Sequence, residues 1–242
     1  MKPRDAIQKL IQKLRSALVF WKRKKPQKKP TLKEEIRGWI IDIAIVFVVY
    51  FIILPAILGT STPMVVVASC SERGYLNIGD VLVLQGINIR DVRAPLVELT
   101  EEQFRRGFEP HVDENGEARW LHFSDVEVEL NRSSDVIVYI SRPYRAQIIH
   151  RVFAKLKVGE KYYLVTKGDA NQLPDQFGGN GACLEDGMGC LSSLVTQEMI
   201  VGKQAFFAIP VVGHVKLFFC DVTRVCDGHS NAGTGNQFKL WC

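Results

Sequence analysis

The amino-acid sequence predicts a mainly β domain that is anchored by one N-terminal transmembrane helix. Three features support this fold class: a strongly basic N-terminal segment, a long apolar run directly after it, and a series of short β-branched and aromatic segments in the rest of the chain. Apolar residues make up 47% of the sequence, which also contains 19 Gly and 10 Pro. This is ordinary usage for a folded protein and excludes general disorder.

The basic residues are concentrated at the N-terminus. Residues 1–37 hold 13 of the 31 Lys and Arg residues and three acids, a balance of +10, whereas the rest of the chain balances at −5. Apolar residues between Ile7 and Leu18 recur at helical spacing among basic residues, which predicts an amphipathic helix on anionic lipid. A solvated run of charge is an equal alternative for residues 22–30. A basic segment also suggests nucleic acid, but the apolar run after it favours a membrane, so we expect no nucleic-acid partner.

The apolar run Trp39–Leu58 predicts a transmembrane helix over residues 38–59. Its 20 residues match the length needed to cross a hydrocarbon core of about 30 Å. A buried core helix is the alternative interpretation. A cleaved secretory signal fits less well, because 38 residues precede the run and the apolar region of such a signal covers only about 7–15 residues.

The same basic residues orient this helix. Lys and Arg are abundant before it, but Arg73 is the one basic residue between Gly59 and Gly86. By the positive-inside rule, we expect residues 1–37 to be cytoplasmic and residues 60–242 to be exported.

Residues 60–242 contain six short segments that are rich in β-branched and aromatic residues, each bounded by turn-forming residues. They predict the strands Val81–Gln85, Val126–Leu130, Val136–Ile140, Lys161–Thr166, Ala205–Val212 and Val215–Phe219. One other segment, Pro95–Gly107, has a helical pattern, with Thr100 as a start signal before two glutamates. The exported part is therefore predicted to be a β domain.

All six cysteines lie in this exported part. Their spacing predicts local disulfides between Cys183 and Cys190 and between Cys220 and Cys226, in an oxidising compartment. Zinc coordination together with His214 or His229 is the alternative, but the sequence has no C-x2-C pair. His111 and His122 have no metal motif around them either. We therefore expect no metal and no cofactor.

Ser71, His150, Asp169 and Asp175 form a candidate catalytic set. A serine becomes a nucleophile at neutral pH when a base takes its proton, and a histidine suits that role if an acidic side chain fixes its tautomer. By themselves these residue types are a weak signal, because a chain of 242 residues offers many such sets. The Gly-Asp pairs near them are equally typical of ordinary turns.

Four sequence blocks make the set more specific. They are Pro63–Ser71 (PMVVVASCS) with Gly79-Asp80, His150-Arg151-Val152, Thr166–Asn171 (TKGDAN) with Asp175, and Ile209–Gly213 (IPVVG). In order and spacing they resemble the blocks of the archaeal and endoplasmic-reticulum branch of type I signal peptidases, which follow an N-terminal span. The resemblance covers residues 38–219, with segments at 88–146 and 176–196 that look like insertions.

The resemblance implies a role for each matched residue. Ser71 would attack the scissile carbonyl, with His150 as the general base in place of the lysine of the bacterial branch. Asp175 would orient His150, and Asp169 would support the same site. The hydroxyl of Ser69 would help to bind the oxyanion.

The resemblance also implies a fold and an activity. The fold is a signal-peptidase-like β-sheet catalytic domain, and the activity is that of a membrane-bound serine endopeptidase that removes N-terminal signal peptides from exported preproteins after small residues. Its partners would be these preproteins, the lipid bilayer and accessory subunits or a translocon. It would lie in the cell membrane as a single-pass protein, with the endoplasmic-reticulum membrane as the alternative.

The sequence departs from the family pattern directly after the serine. The family has Ser-Met-x-Pro where this chain has Ser71-Glu72-Arg73-Gly74. We expect Glu72 to place a charge near the substrate pocket and Gly74 to loosen the turn. A catalytically inactive, membrane-anchored domain that binds peptides or subunits is therefore the alternative function. Cys70 as a thiol nucleophile is a further alternative, although its position in the family belongs to a small spacer residue.

Overall fold

The computed structural model describes residues 31–178, 181–184, 190–206, 208–210, 212–215 and 217. The predicted amphipathic helix near the N-terminus and the predicted Cys220–Cys226 pair lie outside these residues. The chain divides into two compact units, Met1–Val49 and Tyr50–Cys242.

The apolar run forms a helix, as predicted. It consists of α1 (Leu32–Val48), a π-helical turn (Val49–Ile53) and α2 (Leu54–Leu58). The helix begins earlier than residue 38 because Thr31 and Glu34 cap its first turn reciprocally. It ends at Gly59, whose φ of +65° gives the left-handed conformation common after helix C-termini.

This helix, Leu32–Leu58, is long and apolar enough to span a membrane. Its apolar window has a mean hydropathy of 2.8, and none of that window is buried in protein. A core helix of a soluble domain would bury one face, so the alternative of a buried core helix is disfavoured.

The rest of the described chain is mainly β, as predicted. A seven-stranded sheet has the order β1-β2-β12-β7-β8-β3, and β9 pairs with β8. All neighbours are antiparallel except β3 and β8, which are parallel. Its strands are β1 (Met64–Val66), β2 (Val81–Gln85), β3 (Leu96–Leu99), β7 (Val136–Ser141), β8 (Ala146–Val158), β9 (Lys161–Lys167) and β12 (Ile200–Gln204).

Two smaller sheets accompany it. The first is an antiparallel meander of β4 (Glu109–Val112), β5 (Ala118–Phe123) and β6 (Val126–Glu129), which follows the short helix α3 (Glu101–Arg106). The second pairs β10 (Phe177–Gly178) with β11 (Gly181–Ala182). The disulfide between Cys183 and Cys190 follows β11, at the spacing that predicted it.

The core lies where the meander packs against β8 and β9. Alternate side chains of β5 and β6 enter one apolar cluster with residues of the main sheet, because successive strand residues point to opposite faces. Fully buried members of this cluster include Leu121, Phe123, Phe153 and Leu156. The main sheet is thereby held rigidly on one side.

The long strand β8 organises the main sheet. Its first half pairs with β7, and its second half pairs with β9 and β3. A register irregularity between Val152 and Ala154 marks the change of partners. Just before this point, Arg151 pairs with strands on both sides, Val136 of β7 and Lys167 of β9, and the adjacent His150 pairs with Ile137 of β7.

Several strand predictions differ from the structure. The strand expected at Ala205–Val212 is wrong: β12 ends at Gln204, and of the following described residues Ile209 forms a single bridge with Val81. Pro210 has no N–H for a ladder, so this pairing cannot extend through position 210. The described part of Val215–Phe219 includes Leu217, whose N–H donates to the carbonyl of Gly213 as in a helical turn.

The segment predicted as one helix, Pro95–Gly107, is a strand followed by a helix. β3 pairs with β8, and α3 starts only after Thr100, whose hydroxyl accepts a hydrogen bond from the Gln103 N–H. Residues 88–146, which look like an insertion in the sequence, contribute β3 and β7 to the main sheet as well as the whole meander.

Candidate active site

His150 lies on β8 inside the main sheet. It is opposite Ile137 of β7, and its side chain is 4% exposed. Its neighbour Arg151 points to the other face of the strand and pairs in register with Lys167 of β9. The imidazole is therefore a buried group that the sheet positions.

Asp175 holds the imidazole from one side. Its Oδ2 lies 2.6 Å from the Nδ1 of His150, and its side chain is 1% exposed. The Asp175 backbone is fixed by β9, because its N–H donates to the carbonyl of Thr166. In this geometry the Nδ1–H of the neutral imidazole donates to Asp175, which leaves Nε2 as the basic nitrogen.

Two further hydroxyls donate to the same oxygen of Asp175. They belong to Tyr139 of β7, at 2.8 Å, and Thr166 of β9, at 2.6 Å. Both are fully buried. Hydrogen bonds from these two groups and from His150 fix the orientation of the buried carboxyl group.

Ser71 lies in the turn that follows β1. The turn is closed by hydrogen bonds from Arg73 N–H to the Cys70 carbonyl and from Leu76 N–H to the Glu72 carbonyl. A bond from the Ala170 N–H to the Ser71 carbonyl, 2.8 Å long, ties it to the turn after β9. Ser71 is half-buried at the surface of this junction.

Gly168 is the residue that lets the serine turn approach His150. A Cβ at this position would lie 2.7 Å from the Ser71 carbonyl oxygen and 2.9 Å from His150 Nε2. No real Cβ makes contacts this short with fixed neighbours, so the glycine allows the two catalytic candidates to lie on either side of it.

The Ser71 hydroxyl is bonded to Ser69 rather than to His150. The two hydroxyl oxygens are 3.1 Å apart, and either can donate. Ser71 Oγ has no other hydrogen-bond partner among the described residues. Ser69 is therefore next to the place where Ser71 would bond to a substrate carbonyl, as the resemblance implies for an oxyanion donor.

Asp169 is bound to arginine and not to the histidine. Arg151 donates to both of its carboxylate oxygens, at 2.8 and 2.7 Å, and the guanidinium also lies 4.7 Å above the Tyr75 ring centre. Such a bidentate pair fixes the turn after β9. Asp169 therefore contacts the serine turn through its backbone N–H, which donates to Glu72. Its negative charge also raises the pKa of His150 without direct contact.

Glu72 is buried next to this pair, whereas the sequence leads us to expect a charge near the substrate pocket. The residue is 1% exposed, and its Oε1 accepts a hydrogen bond from the Asp169 N–H at 3.2 Å. Burial, together with the nearby charge of Asp169, raises the pKa of Glu72 to about 8. At neutral pH the side chain is therefore mostly protonated and adds little charge to the site.

Gly74 does not simply loosen the turn, as the difference from the family pattern suggests. Its φ of +98° lies in the left-handed region, which a proline cannot adopt. The turn of this chain is thus built for glycine, and the proline of the family pattern would break it.

Burial and the neighbouring acids act in opposite directions on His150. Burial alone lowers the pKa of the imidazole, but the charge and hydrogen bond of Asp175, with a smaller contribution from the charge of Asp169, raise it above its ordinary value of 6.5. The positive form that a general base acquires during a reaction is therefore stabilised here.

The other matched blocks meet at the turn of Gly79-Asp80, which precedes β2. The N–H of Gly213 donates to the carbonyl of Gly79 at 2.9 Å, and a Cβ on Gly213 would clash with Val66 of β1. Asp80 accepts from the Asn77 N–H with its carboxylate and from the Val67 N–H with its carbonyl. Blocks that are far apart in sequence thus support one turn.

Cys70 is disulfide-bonded, so its sulfur is not a free nucleophile. The alternative of a cysteine protease is therefore excluded for this form of the protein. The bond also restrains the residue directly before Ser71.

Tyr139 and Lys167 are site residues that the sequence did not reveal. Tyr139 is part of an ordinary apolar strand pattern, and nothing in that pattern marks its hydroxyl. Lys167 is buried, its Nζ donates to the Gly168 carbonyl at 3.2 Å, and burial lowers its pKa. Its position inside the block TKGDAN was the available signal.

Comparisons with known proteins do not identify a family. No family model matches the chain, and no curated protein is significantly similar to it. The function must therefore be inferred from the site itself.

Proposed function

We propose that this chain is a membrane-anchored serine endopeptidase that removes signal peptides from exported preproteins. The observation that carries the proposal is the buried pair of His150 and Asp175, 2.6 Å apart, beside the turn of Ser71. The resemblance of four sequence blocks to Ser-His signal peptidases supplies the substrate class. Neither a cofactor nor a metal is needed for this chemistry.

Acylation begins with the serine hydroxyl. When a peptide carbonyl enters, Ser71 exchanges its bond with Ser69 for one to His150 Nε2, and catalytic hydrogen bonds commonly tighten only at this stage. Ser71 Oγ then bonds to the carbonyl carbon while His150 takes its proton. The imidazolium that forms is stabilised by Asp175.

The tetrahedral intermediate then collapses. Its negative oxygen is stabilised by hydrogen bonds from Ser69 Oγ and the Ser71 backbone N–H, and one such donor typically lowers the barrier by about 3 kcal/mol. His150 gives its proton to the amine of the mature protein, which leaves. An ester between Ser71 and the signal peptide remains.

Deacylation repeats the same steps with water. His150 takes a proton from a water molecule, whose oxygen attacks the ester carbon, and Ser71 recovers its proton as the signal peptide is released. By the resemblance, the residues one and three positions before the cut are small, as in Ala-x-Ala.

The membrane position follows from the helix and the charge. The helix Leu32–Leu58 anchors the chain, the basic residues before it are cytoplasmic, and the β domain is exported. The cell membrane is the proposed site, with the endoplasmic-reticulum membrane as the alternative. The bilayer, preproteins and accessory subunits or a translocon are the expected partners.

A non-catalytic peptide-binding domain is the second candidate function. The observation that favours it is the bond of Ser71 to Ser69, because a serine with this partner alone is not activated. The two candidates differ in whether Ser71 is required for cleavage.

The test is cleavage of a preprotein with an Ala-x-Ala site in proteoliposomes that contain the full chain. We expect the wild type to cleave at this site and Ser71→Ala to lose cleavage. Ser61→Ala is the matched control, because Ser61 is exposed, and it should retain the wild-type rate.

Cleavage that continues in Ser71→Ala would exclude the serine mechanism. Absence of cleavage in a folded wild type that still binds the preprotein would support the second candidate. Binding is measured in the same vesicles by co-flotation.

A further inference from the structure

The outer face of the meander carries a cluster of two histidines and a glutamate. His111 lies on β4, His122 on β5 and Glu127 on β6, where Glu127 pairs in register with His122. The other face of these strands is apolar and enters the core through Leu121 and Phe123. The cluster is therefore held on a rigid, three-stranded platform.

The side chains of the cluster converge on one point. Nδ1 of His111 and Nδ1 of His122 lie 3.6 and 3.9 Å from Oε1 of Glu127, and the imidazole ring centres are 5.1 Å apart. One nitrogen or oxygen atom from each of the three residues lies within 4.8 Å of the others.

These separations are too long for hydrogen bonds, which span about 2.7–3.2 Å. They suit a shared metal ion better. In a tetrahedral shell with bonds of about 2.0–2.2 Å, ligand atoms lie about 3.3–3.5 Å apart. Binding of an ion would draw the three ligand atoms, which now lie within 4.8 Å of one another, closer together.

A second observation points to a missing bond at the same place. The Nδ1 atom of His122 is buried, although 42% of the side chain is exposed, and it has no hydrogen-bond partner among the described residues. A buried polar nitrogen without a partner is unfavourable, and a metal ion would satisfy it. His111 and Glu127 are 64% and 46% exposed, so an ion can enter from solvent.

We propose that His111, His122 and Glu127 bind one divalent transition-metal ion, with zinc as the best match. Two imidazoles and one carboxylate are ligands that suit zinc and its neighbours, whereas magnesium and calcium prefer oxygen ligands alone. Three protein ligands leave the fourth tetrahedral position for water. The ion would tie β4 to β6, which pair only through β5.

This site is separate from the proposed peptidase chemistry and does not depend on it. The proposal departs from the expectation of no metal, which rests on cysteine spacing and on the lack of a motif around His111 and His122. The ligands come from three strands, so their sequence spacing resembles none of the compact metal motifs.

The experiment is a Co²⁺ titration, with Zn²⁺ competition, of the full chain purified in detergent without a polyhistidine tag. We expect one equivalent of Co²⁺ to give the visible absorption of a tetrahedral site and Zn²⁺ to displace it. Glu127→Gln and His111→Gln should each weaken binding by about tenfold or more.

Glu129→Gln is the matched control. Glu129 is exposed on the same strand and the same face, two residues from Glu127, but lies outside the cluster. It should bind the metal as the wild type does. The substitutions Glu127→Gln and Glu129→Gln are both on the exposed face of the meander. Far-ultraviolet circular dichroism checks that the two variants have the same fold as the wild type.

Trp120 gives an independent measure of location. It is in register with His111, so bound Co²⁺ should quench its fluorescence, and Trp120→Phe should remove that quenching. Three outcomes would overturn the proposal: no binding by the wild type, equal binding by the Glu127 and Glu129 variants, or quenching that persists without Trp120.

Discussion

His150 and Asp175 are the residues on which the proposed chemistry depends most. Their contact is short and buried, and Tyr139 and Thr166 donate hydrogen bonds to the same oxygen of the aspartate. Because three donors meet on one carboxylate oxygen, the imidazole has a single orientation. For the reaction to start, the Ser71 hydroxyl must exchange its hydrogen bond with Ser69 for one with His150.

Asp175→Asn tests this orientation. An amide at position 175 can donate to Nδ1 and so favours the wrong tautomer, which should lower kcat by about 10⁴-fold. The exposed Asp125→Asn is the control. Preprotein cleavage rates in proteoliposomes measure both.

The pH dependence of the same variant gives a second readout. Only neutral His150 is a base, and its pKa is raised above 6.5, so wild-type activity should fall as the pH decreases through a value above 6.5. Without the charge of Asp175 the residual activity should persist to lower pH. An unchanged acid limb in Asp175→Asn would contradict the assigned pairing.

Glu72→Gln tests the buried carboxyl beside Asp169. The pKa of Glu72 is raised from 4.5 to about 8 in the folded state, so the folded state holds an extra proton between these values. The stabilisation of the folded state by this proton is complete below about pH 4.5 and is lost as the pH rises towards 8. Since each pKa unit corresponds to about 1.4 kcal/mol, the total is a few kcal/mol.

We therefore expect the thermal midpoint of the wild type to fall, relative to Glu72→Gln, as the pH is raised from 5 to 8 (the range set by the two pKa values). The exposed Glu114→Gln serves as the control, without this trend. A constant difference between wild type and Glu72→Gln would show that Glu72 is ionised throughout.

The sequence predicted individual residues unevenly. Ser71, His150 and Asp175 were chosen from spaced blocks, and the structure brings the last two into contact. The environment of Glu72 was not predictable, because burial depends on the turn after β9 and not on local sequence. For the same reason the arginine partner of Asp169 was missed, although Arg151 is next to His150.

At the scale of elements, the site is assembled where the turns after β1 and β9 meet the middle of β8. Gly168 sets how closely these turns approach the strand. Its missing side chain leaves room for the Ser71 carbonyl on one side and His150 Nε2 on the other.

Gly168→Ala should separate these elements. The added methyl group would lie less than 3.0 Å from both groups, so one of the turns must shift. Displacement of about 1 Å costs roughly 10²-fold in rate. Cleavage by this variant is compared with cleavage by Gly38→Ala, where nothing lies within 4 Å of the added carbon. Equal rates for the two variants would contradict the packing described.

The elements themselves were predicted where local patterns are clear. The strand Val81–Gln85 has the predicted bounds, since turn residues flank it closely. The long strand β8 was missed because its alternation is broken, with buried residues on both faces from His150 to Leu156. The false strand at Ala205–Val212 shows that an apolar run around Pro210 is not a reliable strand signal.

At the scale of the whole molecule, a strongly basic segment is followed by a helix that is long and apolar enough to span a membrane. The basic segment has a balance of +10 and the remaining chain −5, with the helix Leu32–Leu58 overlapping the boundary between them. This arrangement fits a protein that presents its β domain on the side of the membrane where exported preproteins emerge.

The central claim is that Ser71 is the nucleophile of an acyl-transfer site. The most direct measurement treats the full chain in detergent with an Ala-x-Ala peptide that ends in a diphenyl phosphonate. Attack by a serine oxygen forms an oxygen–phosphorus bond and releases phenol, and mass spectrometry identifies the modified residue. We predict a single adduct on Ser71 that is absent in His150→Ala, and an adduct elsewhere, or none on the folded protein, would contradict the account.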